Sequence, residues 1–172
     1  MMVQSRNPAA DQGMTELSEQ SLAEIDRWIA KYPVDQRQSA VMAALRVAQE
    51  QNGGWLNRAL IEAVADYLGM SPIEVEEVAT FYSMYELKPV GRHKICVCTN
   101  ISCLLRGSDE VVAHLEQRLG IRMGETTADG RFTLKEVECL GACVNAPMFQ
   151  IGRDYHENLT PERIDAILDR LD

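Results

Sequence analysis

Residues 93–103 read HKICVCTNISC, and this stretch sets the expected structure of the C-terminal half of the chain. Apolar residues alternate here with Cys96 and Cys98, which is the two-residue period of a β-strand. Thr99 and Asn100 interrupt the apolar pattern, so we expect the strand to end at Cys98. Cys103 then lies in the loop that follows the strand.

A second pair of cysteines repeats this arrangement further along the chain. The segment Phe132–Leu134 predicts another strand, and Cys139 and Cys143 follow it with Gly141 between them. Loops at strand ends can direct sulfurs and backbone N–H groups at one point. That geometry suits a metal cluster, whose thiolates need N–H donors.

The spacing of the two pairs leaves three interpretations open. Structural zinc sites use C-x2-4-C knuckles around one compact ion. The x4 and x3 loops of this chain lie at the wide end of that range, and they suit a larger [2Fe-2S] rhomb in which each iron takes two thiolates. Disulfides or redox thiols are the third possibility, which the odd number of five cysteines disfavours.

The fifth cysteine, Cys96, is expected to be structural. It lies inside the predicted strand, and buried free cysteines behave as small hydrophobic residues. Its position two residues before Cys98 would let it line the site without acting as a ligand.

The first half of the chain is expected to be a small helical bundle. We expect a polar tail over residues 1–16 and helical patterns over 17–87, with Asn57 and Ser71 as N-caps. Pro72 at the first helical position and Glu74 in a capping box mark the fourth helix. Its end, Phe81-Tyr82-Ser83, belongs either to the core, which we favour, or to a partner interface.

The second half, residues 88–172, has mixed signals in the order β-α-β-β-β-α. Lys88-Pro-Val-Gly91 breaks the helical pattern and is the expected boundary. Ser108 is expected to cap a helix that ends at Gly120, and Thr160 to cap the last helix. The predicted fold class is therefore α+β, a helical bundle followed by a small α/β domain.

Composition and charge exclude several classes of function. The chain has 17 basic and 26 acidic side chains, a net charge of −9, which argues against binding nucleic acid. No apolar run approaches the ~20 residues that cross a bilayer. The N-terminal residues show no secretory or import pattern, so we expect neither export nor direct membrane insertion.

Five ordered segments carry a more specific signal: VATFYS (78–83), KPVGRH (88–93), CTNISC (98–103), DGRFTL (129–134) and CLGAC (139–143). Together they resemble the E-subunit family of bacterial NADH-quinone oxidoreductase (complex I). The resemblance extends from about residue 18 to the C-terminus.

This resemblance implies a site, a cofactor and a fold. It implies that Cys98, Cys103, Cys139 and Cys143 ligate one [2Fe-2S] cluster, whereas Cys96 lies outside the ligand pattern. It also implies that the second domain is thioredoxin-like, a [2Fe-2S] ferredoxin, with a cis peptide before Pro147.

The resemblance further implies an electron-transfer subunit without a complete active site of its own. FMN and NADH would be bound by the flavoprotein subunit against which this chain packs. The complex would place the chain at the cytoplasmic side of the inner membrane. The same module occurs in NAD-dependent formate dehydrogenases and bidirectional hydrogenases, and a zinc-stabilised interaction module is the alternative from a different class.

Overall fold

The computed structural model describes residues 13–171 and divides the chain into two compact units, the first ending at Pro89 and the second beginning at Val90. The expected tail over residues 1–16 lies mostly outside the described residues. Its described end is hydrogen-bonded to the helical unit, since the Met14 N–H donates to Asn52 Oδ1 at 2.9 Å and Asn57 donates to the Met14 carbonyl at 3.0 Å.

The first unit is a helical bundle, as its apolar periodicity predicts. It contains α1 (Glu19–Ile29), a 3-10 helix (Val34–Ala40), α2 (Val41–Gln51), α3 (Arg58–Leu68) and α4 (Pro72–Phe81). The 3-10 helix was not expected from the sequence. It follows Pro33, whose fixed φ ends α1 and turns the chain before α2 begins.

Local capping explains where these helices begin and end. Asn57 accepts a hydrogen bond from the Leu60 N–H at 2.9 Å, and Gly69 ends α3 in the left-handed conformation. Ser71 and Glu74 form the predicted capping box at the start of α4. The predicted starts of α3 and α4 are therefore confirmed.

The core of this unit is mainly aliphatic, and the end of α4 lies outside it. Val75 and Ala79 are buried, whereas Phe81 is 80% exposed and Tyr82 is 38% exposed. The expectation that favoured the core for this segment was wrong. Phe81 lies off the face of α4 that carries the buried Val75 and Ala79, and Tyr82, directly after the helix, is in the extended conformation.

The second unit is a four-stranded mixed sheet with helices. It contains β1 (His93–Cys98), α5 (Ile101–Leu104), α6 (Ser108–Leu119), β2 (Phe132–Val137), a 3-10 turn (Cys143–Asn145), β3 (Phe149–Ile151), β4 (Asp154–His156) and α7 (Pro161–Leu168). The strand order is β2-β1-β3-β4, with β1 parallel to β2 and antiparallel to β3.

Two details of this unit differ from the expected helix starts. The short helix α5 was not predicted. Gly107, in the left-handed conformation, is the N-cap of α6, and Ser108 is its first helical residue. The Ser108 side chain is buried, so it packs inside the unit instead of capping the helix.

The predicted cis peptide is present between Ala146 and Pro147. Within residues 13–171, no helix has both the length and the apolar character that crossing a membrane requires.

Candidate metal centre

The loops that carry the two cysteine pairs begin side by side, because β1 and β2 are parallel and end together. Cys98, the last residue of β1, lies in register with Val137, the last residue of β2. The Thr99 N–H extends this pairing by donating to the Val137 carbonyl at 3.2 Å. The segments after β1 and β2 therefore leave the sheet at the same edge, and the loops that carry the cysteines begin side by side.

The first pair is buried. The side chain of Asn100 accepts a hydrogen bond from the Ile101 N–H at 2.6 Å, which starts the single turn of α5 and brings Cys103 back toward the strand. Cys98 is 2% exposed and Cys103 is 1% exposed. Burial, together with a hydrogen bond to Cys98, raises the pKa of Cys103 to about 11.

The second pair lies at the surface, on the loop after β2. Cys139 and Cys143 are both exposed. The Gly141 N–H donates to Cys139 Sγ at 3.4 Å, and Gly141 adopts a left-handed φ of 80° that a glycine tolerates without strain. The Cys98 thiol donates to the Glu138 carbonyl at 3.7 Å, which ties the buried pair to this loop.

The chemistry of these groups fits an iron–sulfur centre. Thiolates are the ligands of iron–sulfur clusters, and backbone N–H donors stabilise their charge. Here the Gly141 N–H donates to Cys139 Sγ, and a backbone hydrogen bond from Met148 offsets part of the rise in the pKa of Cys103. Cys143 is close enough to Cys103 to affect the same pKa. In the described part of the chain, no three His, Cys, Asp or Glu side chains converge tightly enough to hold a single ion.

Cys96 lies in the middle of β1 and is partly buried. It is in register with Lys135 of β2 and Gln150 of β3, so its backbone is held in the sheet on both sides. This placement agrees with a structural role for Cys96, although it shares a strand face with Cys98.

Contacts from outside the cysteine motifs also support the site, and none of them was expected from the sequence. The Tyr155 hydroxyl, on β4, donates to the Leu140 carbonyl at 2.6 Å. The Cys98 N–H donates to the Met148 carbonyl at 3.2 Å. Each of these contacts joins residues that are far apart in the sequence, so neither leaves a local pattern. The sequence feature that marks this region is Pro147, next to Met148.

A family match and similar known proteins both assign the chain to the same family. Residues 25–172 match the thioredoxin-like [2Fe-2S] ferredoxin family. The E subunit of NADH-quinone oxidoreductase from Rickettsia bellii (strain RML369-C) is 52% identical over 143 residues, which cover 83% of this chain and 86% of the relative. The mitochondrial NADH dehydrogenase [ubiquinone] flavoprotein 2 of Dictyostelium discoideum is 44% identical over 91% of this chain and 63% of that protein.

Solved structures support the fold. A chain of an NAD+-reducing [NiFe]-hydrogenase in the H2-reduced state superimposes with a TM-score of 0.67 at 24% identity over 76% of this chain. This chain spans 22% of that hydrogenase chain, so the similarity concerns one module of a longer protein. The predicted fold class, a helical bundle followed by a thioredoxin-like domain, is confirmed. The chain belongs to the thioredoxin-like [2Fe-2S] ferredoxin family and, within it, to the E subunits of NADH-quinone oxidoreductase.

Proposed function

We propose that this chain is the electron-transfer subunit of a bacterial NADH-quinone oxidoreductase. Cys98, Cys103, Cys139 and Cys143 would hold one [2Fe-2S] cluster beside the flavoprotein subunit, which binds NADH and FMN. When bound, such a cluster supplies one-electron transfer. The observation that carries the proposal is the parallel register of Cys98 and Val137, which starts both cysteine loops at one sheet edge.

The two cysteine pairs have different tasks in this proposal. The buried thiols of Cys98 and Cys103 fix one side of the centre inside the fold, where the apolar residues around them exclude water. The exposed sulfurs of Cys139 and Cys143 present the other side at the surface. An exposed side gives a partner subunit short access to the centre without movement of the chain.

Exposed apolar residues next to the cysteines support the proposal that a partner subunit binds there. Leu105, beside α5, is 82% exposed, and Val144, directly after Cys143, is 88% exposed. Ile101 and Leu104 of α5 are exposed as well. Large apolar side chains at the surface beside a reactive centre are typical of a protein interface. We assign this surface, defined by Ile101, Leu104, Leu105 and Val144, to the flavoprotein subunit and call it the apolar rim.

Such a subunit would act on the cytoplasmic side of the inner membrane, within a complex that other subunits anchor. The relatives named as E subunits of NADH-quinone oxidoreductase support this context over a formate dehydrogenase or a hydrogenase, because the hydrogenase similarity is at the level of fold.

Affinity purification of the tagged full-length chain from the native bacterium tests the proposal. We expect an FMN-containing flavoprotein subunit to be recovered in equal amount, together with NADH-dependent quinone reduction. Recovery with formate dehydrogenase or hydrogenase subunits would contradict the assigned complex. Recovery of a zinc-loaded chain without any flavoprotein would contradict electron transfer.

A further inference from the structure

Tyr155, the middle residue of β4, reaches the second cysteine loop with its side chain. Tyr155 as a residue is 48% exposed, and its hydroxyl donates to the Leu140 carbonyl at 2.6 Å. Because β4 and β2 are the two outer strands of the sheet, this hydrogen bond joins the loop after one outer strand to the other outer strand. It acts between Cys139 and Cys143.

The accepting carbonyl belongs to the same peptide group as a donor to sulfur. The Leu140 carbonyl and the Gly141 N–H are the two ends of one planar unit, and they point in opposite directions. Gly141 donates from that unit to Cys139 Sγ at 3.4 Å. A hydroxyl that fixes the carbonyl therefore also fixes the direction of the N–H.

The orientation of the Leu140–Gly141 peptide needs a contact from outside the loop, because the residue that supplies its N–H is a glycine. Gly141 has a φ of 80°, and a Cβ placed there would meet no atom within 4 Å, so the surrounding space does not hold the peptide in place. Rotation about the bonds that flank the peptide would turn the N–H away from Cys139. The Tyr155 hydroxyl opposes that rotation.

The rest of the loop is held by other contacts. Asn145 Nδ2 donates to Glu157 Oε2 at 3.0 Å, and the Asn158 N–H donates to the Asn145 carbonyl at 2.7 Å. The Leu159 N–H donates to the Pro147 carbonyl at 3.1 Å. These contacts secure the chain after Cys143, so loss of the Tyr155 hydroxyl would act locally at the Cys139 end.

We propose that Tyr155 is a positioning residue that raises the reduction potential of the centre by orienting and polarising the Leu140–Gly141 peptide toward the Cys139 sulfur. The inference rests on the proposed function. A hydrogen bond to a thiolate ligand stabilises the reduced, more negative state of a cluster, and hydrogen bonds to sulfur are among the factors that set its potential. A carbonyl that accepts a hydrogen bond also makes its own N–H a stronger donor.

The test is an EPR-monitored redox titration of purified wild-type protein, Tyr155→Phe and a control. Tyr67→Phe is matched, because the Tyr67 hydroxyl also donates at 2.6 Å, to Asp26 in the helical unit. We expect Tyr155→Phe to lower the potential by about 28 mV, a threefold change at 59 mV per tenfold for one electron. The Tyr67→Phe potential should equal that of the wild type. Equal potentials in all three proteins would overturn the proposal.

A second variant keeps the ring and the hydroxyl and so covers the case in which Tyr155→Phe loses its cluster. Incorporation of 3-fluorotyrosine at position 155 makes the hydroxyl a stronger donor, and we expect the potential to rise. An unchanged or lowered potential would overturn the role of Tyr155. If the wild type itself gives no iron–sulfur signal, the proposed function fails and this role fails with it. If the wild type gives a normal iron–sulfur signal and the reduction potential of the 3-fluorotyrosine variant is unchanged, only the role of Tyr155 fails.

Discussion

Cys98 and Val137 lie opposite each other as the last residues of two parallel strands. Cys139 follows Val137 by two residues. Each of the two paired strands is therefore followed directly by a loop that carries cysteines. Parallel strands point the same way, and their C-terminal ends therefore share one edge. This relationship brings two motifs that are distant in sequence to one edge of the sheet, where we propose that they form one site.

Serine substitutions test the ligand set. We expect Cys103→Ser and Cys139→Ser to lose or alter the visible absorption and the EPR signal, because a hydroxyl replaces a thiolate ligand. Cys96→Ser should keep both spectra, since Cys96 lies within β1, paired with Lys135 of β2 and Gln150 of β3. Loss of the spectra in Cys96→Ser with retention in Cys139→Ser would contradict the assignment.

Charges on the apolar rim test the partner surface. Leu105→Asp and Val144→Asp each place a carboxylate where we assign contact with the flavoprotein subunit, and desolvation of that charge would disfavour docking. We expect at least a tenfold loss of affinity for the flavoprotein subunit, measured by surface plasmon resonance, with the iron–sulfur spectrum retained.

Gln117→Asp is the matched control for these variants, because Gln117 is exposed in the last turn of α6, away from the cysteine loops in sequence. It should bind the flavoprotein subunit as the wild type does. Equal binding by Leu105→Asp and the control would remove the apolar rim from the interface.

Gly91 allows the close approach of the chain to β2. A Cβ at this position would lie 2.8 Å from the backbone carbon of Phe132, and the Gly91 N–H donates to Thr133 Oγ1 at 2.6 Å. We expect Gly91→Ala to lower the free energy of unfolding of the second unit by about 3 kcal/mol, because backbone must move. Chemical denaturation followed by circular dichroism measures this loss.

Gly130→Ala provides the comparison for that variant. Its φ is 69° and an added Cβ meets nothing within 4 Å, so only backbone strain applies. That strain costs about 1 kcal/mol. Equal losses in the two variants would show that the contact with Phe132 is not the cause.

Tyr85 gives the helical unit an alkaline limit. Its side chain is 5% exposed, its hydroxyl donates to the Met42 carbonyl at 2.7 Å, and burial raises its pKa to about 12. The neutral phenol is favoured in the folded state, so its contribution is complete below the unfolded pKa of about 10. That contribution disappears as the pH rises from about 10 to about 12.

Tyr85→Phe should separate this effect from general alkaline unfolding. We expect it to cost about 1 kcal/mol at neutral pH through the lost hydrogen bond, and to flatten the decline in stability above a pH of about 10. Thermal unfolding across the range from about pH 8 to about pH 12 measures both. Tyr32→Phe, at an exposed position, is the control that should follow the wild type. A wild-type slope in Tyr85→Phe would contradict the role of this hydroxyl.

Local interactions account for the parts of the structure that can be predicted from the sequence. The Asn57 cap, the Ser71–Glu74 capping box and the strand that ends at Cys98 each follow from neighbouring residues. The family resemblance, and not spacing, singled out [2Fe-2S] against zinc.

The remaining features depend on contacts between distant residues. Tyr82 follows the helical apolar pattern of Val75 and Ala79, yet it is 38% exposed because α4 ends at Phe81 and Tyr82 is already in the extended conformation. The hydrogen bond from Tyr155 to Leu140 crosses from one outer strand to the loop after the other, so no sequence period marks it. The difference between the buried and exposed cysteine pairs likewise arises only once the loops are placed on the sheet.

Metal and sulfide analysis of the anaerobically purified full-length protein, with EPR spectra before and after reduction, decides whether the four cysteines hold an iron–sulfur cluster. We predict about two irons and about two inorganic sulfides per chain and an EPR signal that appears on reduction. A colourless protein with one zinc per chain and no EPR signal after reduction would contradict the iron–sulfur assignment.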